Sequence, residues 1–237
     1  MFNTCMKDTF RFFKAHWWML ALIAVPLNLL GALIRAAFSS GTAAETVSVT
    51  AVASTQQYDG LWLYGLVVML VSMVIQIASV HYIDSAVKQS RMSVTQTWLM
   101  GASKLLPFAL LLVCTVLVVG AGLVAFIIPG IIVMVRTALA PYLFLLEGKS
   151  AIESIKGSWE LTRGHFSDLF FGSIVLSIPV IVLSFILPDL DMTTSSLEVA
   201  LFSSVEIVLG MLVTVYYYRV YSYLREAEKP NDNVVQL

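Results

Sequence analysis

The sequence predicts an all-α polytopic membrane protein with six transmembrane helices and juxtamembrane amphipathic helices, and three observations predict it. Hydrophobic residues make up 59% of the 237 residues and charged residues only 12%, far from the balance of a soluble domain. The apolar residues gather in six runs, each near the ~20 residues a helix needs to cross hydrocarbon. The 14 Lys and Arg are also sorted by side. They stand at Lys7, Arg11 and Lys14, then at Lys88, Arg91 and Lys104, then at Lys149, Lys156 and Arg163, and finally at Arg219, Arg225 and Lys229. Only Arg35 and Arg136 fall elsewhere, and the loops on the opposite side hold neither residue type. This positive-inside distribution predicts that both termini face the cytoplasm.

Helices are the required form, because lipid offers no partner to an unpaired backbone N–H or C=O. Long apolar runs without two-residue alternation exclude a β-barrel. The expected spans lie near Trp17–Phe38, Leu61–Ile83, Leu105–Ile128, Ile131–Leu146, Leu169–Leu187 and Val199–Arg219, in one domain covering 1–237. The first run outlasts a signal-peptide core, contains Pro26 and Asn28, and follows an amphipathic stretch, so it reads as a retained span over the alternative of a cleaved leader. Polar Ser39–Gly60 follows as the first outer loop. Spans three and four meet at Pro129-Gly130, where Pro sets φ and Gly permits a left-handed step, so a tight hairpin turn is expected there.

Two inner connections carry helix-start signals. Ser150 and Glu153 have the spacing of a capping box, and so do Ser93 and Gln96. After Ser150, Ile152, Ile155, Trp159, Thr162 and Phe166 recur at intervals of three and four, the pattern of one apolar helix face on a membrane surface. Three juxtamembrane segments share a small hydroxyl followed by an aromatic: Thr9-Phe10, Thr97-Trp98 and Ser158-Trp159. His16, Lys104 and His165 stand seven residues beyond each hydroxyl. A threefold repeat of surface helix plus two spans accounts for this; alignment on the capping boxes gives a different register, and unrelated amphipathic helices are the alternative. Tyr216, Tyr217, Tyr218, Tyr221 and Tyr223 close the last span as an interfacial aromatic belt would.

Charge and motif content exclude several function classes. The net charge of −1 hides an acidic outer side with Glu45, Asp59, Asp189, Asp191 and Glu198, and no basic patch suits a nucleic acid. Cys5 and Cys114 fall on the inner tail and within span three, so no disulfide is expected. His16, His81 and His165 lie near the inner surface without metal-ligand spacing, even with Asp84 and Asp168 nearby. Phosphate-loop, zinc-protease, Cys-x-x-Cys and nucleophile-elbow patterns are missing. No enzyme, cofactor or metal is expected.

Ionisable groups inside a bilayer are functional candidates, since each costs at least about 2.5–3.5 kcal/mol there. Arg136 lies six residues past Pro129-Gly130, roughly 9 Å from the outer surface. Glu206 falls at a matched depth in span six, and the two are expected to form an intramembrane ion pair. That pair reads either as structural glue or as a site for an anionic lipid or solute. Arg35 is placed to snorkel to headgroups. Pro26, Pro141 and Pro179 bend their spans, while Asn28 and Gln76 suit helix–helix contacts.

The run Ile128-Pro129-Gly130-Ile131-Ile132, then Ala138-Leu139-Ala140-Pro141, then Ser158-Trp159-Glu160-Leu161-Thr162, resembles the YciC family of uncharacterised bacterial inner-membrane proteins. The likeness is clear over 124–187 and extends to the six-span layout. More distantly, Arg136 and Pro141 match the membrane domain found beside some glycerophosphodiester phosphodiesterases. The catalytic domain of those enzymes has no counterpart here, so the resemblance implies no activity. The reading that results is a non-enzymatic multi-pass protein acting in envelope or lipid homeostasis. Its expected partners are membrane lipids and other inner-membrane proteins or a second copy of itself. A transporter or lipid-handling channel built on Arg136 and Glu206 is the alternative.

Overall fold

Runs this apolar close their backbone hydrogen bonds within themselves, and a computed structural model covering residues 1–42, 56–90, 92–186 and 196–228 is helical almost throughout. In chain order the helices are α1 (Phe2–Thr42), α2 (Gln56–Val87), α3 (Val94–Ser103), α4 (Leu105–Ala125), α5 (Ile127–Thr137), α6 (Ala140–Glu147), α7 (Ala151–Leu161), α8 (Phe166–Ile186) and α9 (Ser196–Glu228). Among the described residues, six stretches are long and apolar enough to cross a membrane: Phe2–Ile34, Gly65–Val87, Leu105–Ala125, Ile127–Glu147, Phe166–Phe185 and Leu201–Glu228. The fourth is two helices, α5 and α6, in series. Most of the first outer loop, Arg91, Lys229 and the side chains of Arg35, Asp189, Asp191 and Glu198 lie outside the described residues.

One pattern occurs three times in the order of elements. An ascending helix that begins at the basic end is followed by a descending partner: α1 then α2, α3–α4 then α5–α6, α7–α8 then α9. The ascending helix is continuous in α1, breaks at Lys104 between α3 and α4, and breaks at 162–165 between α7 and α8. Helices α1 and α9 share the most extensive contact and join the two ends of the chain. They run antiparallel: Phe12 lies by Arg219, and the Asn28 amide donates to Ser203 and Ser204.

The core is lopsided. Fully buried side chains such as Leu20, Ile77, Leu143, Tyr216 and Val220 crowd the basic end. Leu33, Leu66, Leu117, Val124, Phe126 and Phe185, toward the opposite end, are exposed. Side chains of that kind suit acyl chains as neighbours.

One expectation is corrected here. The hairpin turn between spans three and four is not Pro129-Gly130. It is Phe126, a single extended residue at φ −167°, and Pro129 and Gly130 fall inside the first turns of α5. Pro129 is tolerated because the first-turn N–H it lacks would have no helical acceptor. Gly130 serves by its missing side chain: a Cβ would lie 2.9 Å from the Leu123 backbone, and one on Gly122 would lie 3.1 Å from the Gly130 Cα. The hairpin is tight because two glycines let α4 and α5 touch.

The amphipathic helix α7 forms where its start signal stands. Both capping boxes form, with Ser150 N–H donating to Glu153 at 3.0 Å and Ser93 N–H to Gln96 at 3.1 Å. The buried face of α7, however, is Ala151, Ser154, Ser158 and Leu161, continued by Thr162. Ile152 is 62% exposed and Trp159 42%. The helix packs its small-residue face along α6 after the left-handed turn at Gly148 (φ 68°), which leaves the bulky stripe facing outward. Small residues allow helices in lipid to approach, and bulky ones face the acyl chains. Helices α3 and α1 follow the same rule: Thr97 and Gly101 are buried while Leu99 is exposed, and Thr9 is buried while Phe10 is exposed. The three hydroxyls aligned by the sequence, Thr9, Thr97 and Ser158, are each completely buried.

Candidate functional site

Polar side chains converge at two places. The first is a cleft of about 600 Å³ at the basic end, lined by residues of α2, α6 and α9. Glu147, the last residue of α6, accepts from Arg225 at 2.6 and 2.7 Å and from the Tyr221 hydroxyl at 2.7 Å, with Lys149 at 3.0 Å. Asp84 accepts from Lys88 at 2.9 Å and from the Tyr218 hydroxyl at 3.0 Å. Each of these two carboxylates is held by a cation and a phenol, a bonding pattern that fixes α2 and α6 against α9. Outside the spans, Glu153 has its pKa lowered by hydrogen bonds from Ser150.

The tyrosines behind this cleft depart from the expected interfacial belt. Tyr216 and Tyr218 are core residues, and only Tyr223 is exposed. Tyr216 donates to the Asp168 carbonyl at 2.7 Å and Tyr142 to the Thr214 carbonyl at 2.8 Å. Burial is possible because each hydroxyl finds an acceptor. Gly172 makes room for the Tyr216 ring, which a Cβ there would strike.

The second place is the break between α5 and α6. Pro141 supplies no N–H to the Thr137 carbonyl, which weakens the helix at this point, and α5 ends where α6 begins anew. The Ser158 hydroxyl from α7 bridges the gap: it donates to the Arg136 carbonyl at 2.6 Å and accepts from the Leu139 N–H at 3.2 Å. Next to it the Arg136 guanidinium lies over the Trp159 ring, 5.8 Å from its centre, and its buried Nε and Nη1 find no hydrogen-bond partner among the described residues. Sequence reasoning named Ser158 as a repeat position but not as the bridge, since nothing local places α7 against this break.

The expected ion pair is not formed. Glu206 accepts from Ser184 of α8 at 3.0 Å, and Arg136 is turned toward α7. Arg136 lies ten residues past the turn at Phe126 and Glu206 ten residues into α9, so depth along the helix does not separate them. What separates them is the neighbour each meets, α7 for Arg136 and α8 for Glu206. A cavity of about 420 Å³ does open at the α5–α6 break, lined by Thr137, Ala138 and Pro141, but neither Arg136 nor Glu206 lines it.

The histidines stay apart. His16 contacts its own helix at the Phe12 carbonyl, 3.2 Å, and His165 sits 3.9 Å from Asp168. Among the described residues no three His, Cys, Asp or Glu side chains are grouped for a metal. Cys5 and Cys114 are free thiols. Arg219 lies 5.3 Å from the centre of the Phe12 ring, a second cation on an aromatic face.

The chain is similar over 92% of its length to the UPF0259 membrane protein plu2479 of Photorhabdus laumondii, at 26% identity and covering 94% of that protein. No solved structure matches. The model of an uncharacterised protein family, UPF0259, matches residues 60–223, consistent with the YciC resemblance. Six membrane-length helices and a family match over most of the chain together assign this protein to the UPF0259 family of membrane proteins.

Proposed function

We propose that this multi-pass protein is non-enzymatic, resides in the bacterial inner membrane with both termini in the cytoplasm, and acts in envelope or lipid homeostasis. The supporting observation is how its polar groups are engaged. In the basic-end cleft Glu147 and Asp84 are held by Arg225, Lys149, Lys88 and two tyrosine hydroxyls, an arrangement that suits a brace better than a general base. The large exposed surface is instead apolar, on α4, α5 and α8. Membrane lipids are its partners on this reading, along with other inner-membrane proteins or a second copy. The cytoplasmic orientation rests on the cation distribution.

The test is direct. Protein purified in its own membrane lipids is incubated with phospholipids and glycerophosphodiesters, and no hydrolysis is expected; turnover above that of an unrelated membrane protein overturns the reading. The transporter alternative has less support, because the cavity that it needs is lined by neither Arg136 nor Glu206.

A further inference from the structure

We propose that the cavity at the α5–α6 break binds an uncharged lipid bearing a free hydroxyl, of the diacylglycerol type. The inference stands independently of the role proposed above. At about 420 Å³ the cavity falls within the ~300–1,000 Å³ typical of small-molecule sites, and it lies between membrane-length helices, so its ligand comes from the bilayer.

Chemistry narrows the ligand further. None of the residues lining the cavity is charged. A phosphate or carboxylate placed there would be desolvated without a counter-ion, which disfavours anionic lipids. The polar side chains of the lining supply both kinds of group: the Gln76 amide brings two N–H donors and a carbonyl, and two threonines bring acceptors. Thr115 donates its one hydroxyl proton to the Leu111 carbonyl at 2.8 Å, and Thr137 donates its own to the Val133 carbonyl at 3.0 Å. Both then offer only lone pairs to a ligand. Pro141 leaves the Thr137 carbonyl without its usual helical donor, which adds an acceptor at the same spot. Acceptors beside the Gln76 amide in an otherwise apolar lining suit a ligand that presents an O–H next to ester carbonyls on an apolar body, and Phe108, Leu111 and Val213 provide wall for the chain.

Gly210 offers a clean way to close the site. It lines the cavity, and a Cβ built there meets nothing within 4 Å, so a side chain can start there without a clash. The experiment places the full chain in lipid nanodiscs with a diacylglycerol carrying a photoactivatable diazirine near its glycerol end, and maps the adducts by mass spectrometry. We expect saturable labelling of α4, α5–α6 and α9. Unlabelled diacylglycerol should compete, while phosphatidic acid with the same chains should compete at least ~tenfold less well, about 1.4 kcal/mol. Gly210→Leu should lower labelling ~tenfold. Thr137→Val, which keeps the shape and removes the acceptor, should reduce the preference for diacylglycerol over its O-methyl ether; this second variant decides the matter if Gly210→Leu fails to fold. Non-saturable labelling, equal competition by phosphatidic acid, or full labelling of folded variants overturns the proposal and leaves a cavity that holds only water.

Discussion

At the residue scale, single small side chains decide how close the helices come. A Cβ on Gly130 must displace the Leu123 backbone, which cannot give way as a flexible side-chain tip would. Gly130→Ala is expected to cost about 1–3 kcal/mol through overpacking, read as a lower unfolding midpoint in detergent. Ser158 carries a different burden. Its loss leaves the buried Arg136 carbonyl and Leu139 N–H without a partner. Ser158→Ala should therefore destabilise by about 1–3 kcal/mol, with unfolding midpoints as the measurement. Arg136 and Glu206, facing different helices, should behave independently. A double-mutant cycle on Arg136→Met and Glu206→Gln is expected to give a coupling within about 0.5 kcal/mol of zero, and a larger coupling would restore the ion pair.

At the element scale, α7 shows how far local signals reach. Its start is written in sequence, since Ser150 and Glu153 satisfy each other's backbone groups. Ser150→Ala should cost about 1 kcal/mol of stability, visible in thermal melts. The box also makes a pH prediction. Hydrogen bonds from Ser150 lower the Glu153 pKa below its ordinary value. A carboxyl depressed on folding contributes stability above its unfolded pKa, and that contribution fades as pH falls through the folded one. Melting curves of the protein and of Glu153→Gln should accordingly converge in acid and separate toward neutral pH. Which face α7 buries is another matter. Periodicity marks Ile152 and Trp159 as one outward stripe, and both are exposed. The face that packs on the protein is the Ser154–Ser158–Thr162 stripe, whose small side chains let α7 approach its neighbours.

At the scale of the whole molecule, the chain joins its own ends. Helices α1 and α9, the first and last, make the broadest contact, and the dense core sits at the basic end that both share. A helix of 41 residues such as α1 is roughly 60 Å long, about twice the ~30 Å hydrocarbon thickness. Substantial parts of the long helices must therefore project from the bilayer. Cation placement predicts that they project into the cytoplasm. Reporter fusions should put residue 156 inside and residue 50 outside; the reverse would refute the orientation.

How much was legible divides along a physical line. The sequence alone determined helix content, the number of spans and the two capping boxes, because backbone satisfaction in lipid and first-turn hydrogen bonding depend only on nearby residues. It also aligned Thr9, Thr97 and Ser158 in one of two possible registers, and all three are completely buried. Tertiary structure alone decided that Ser158 bridges a helix break, that Arg136 meets Trp159 in place of Glu206, and that the hairpin turns at Phe126. Those outcomes depend on which helices become neighbours. Contacts between residues far apart in sequence set this, and no window of residues contains that information.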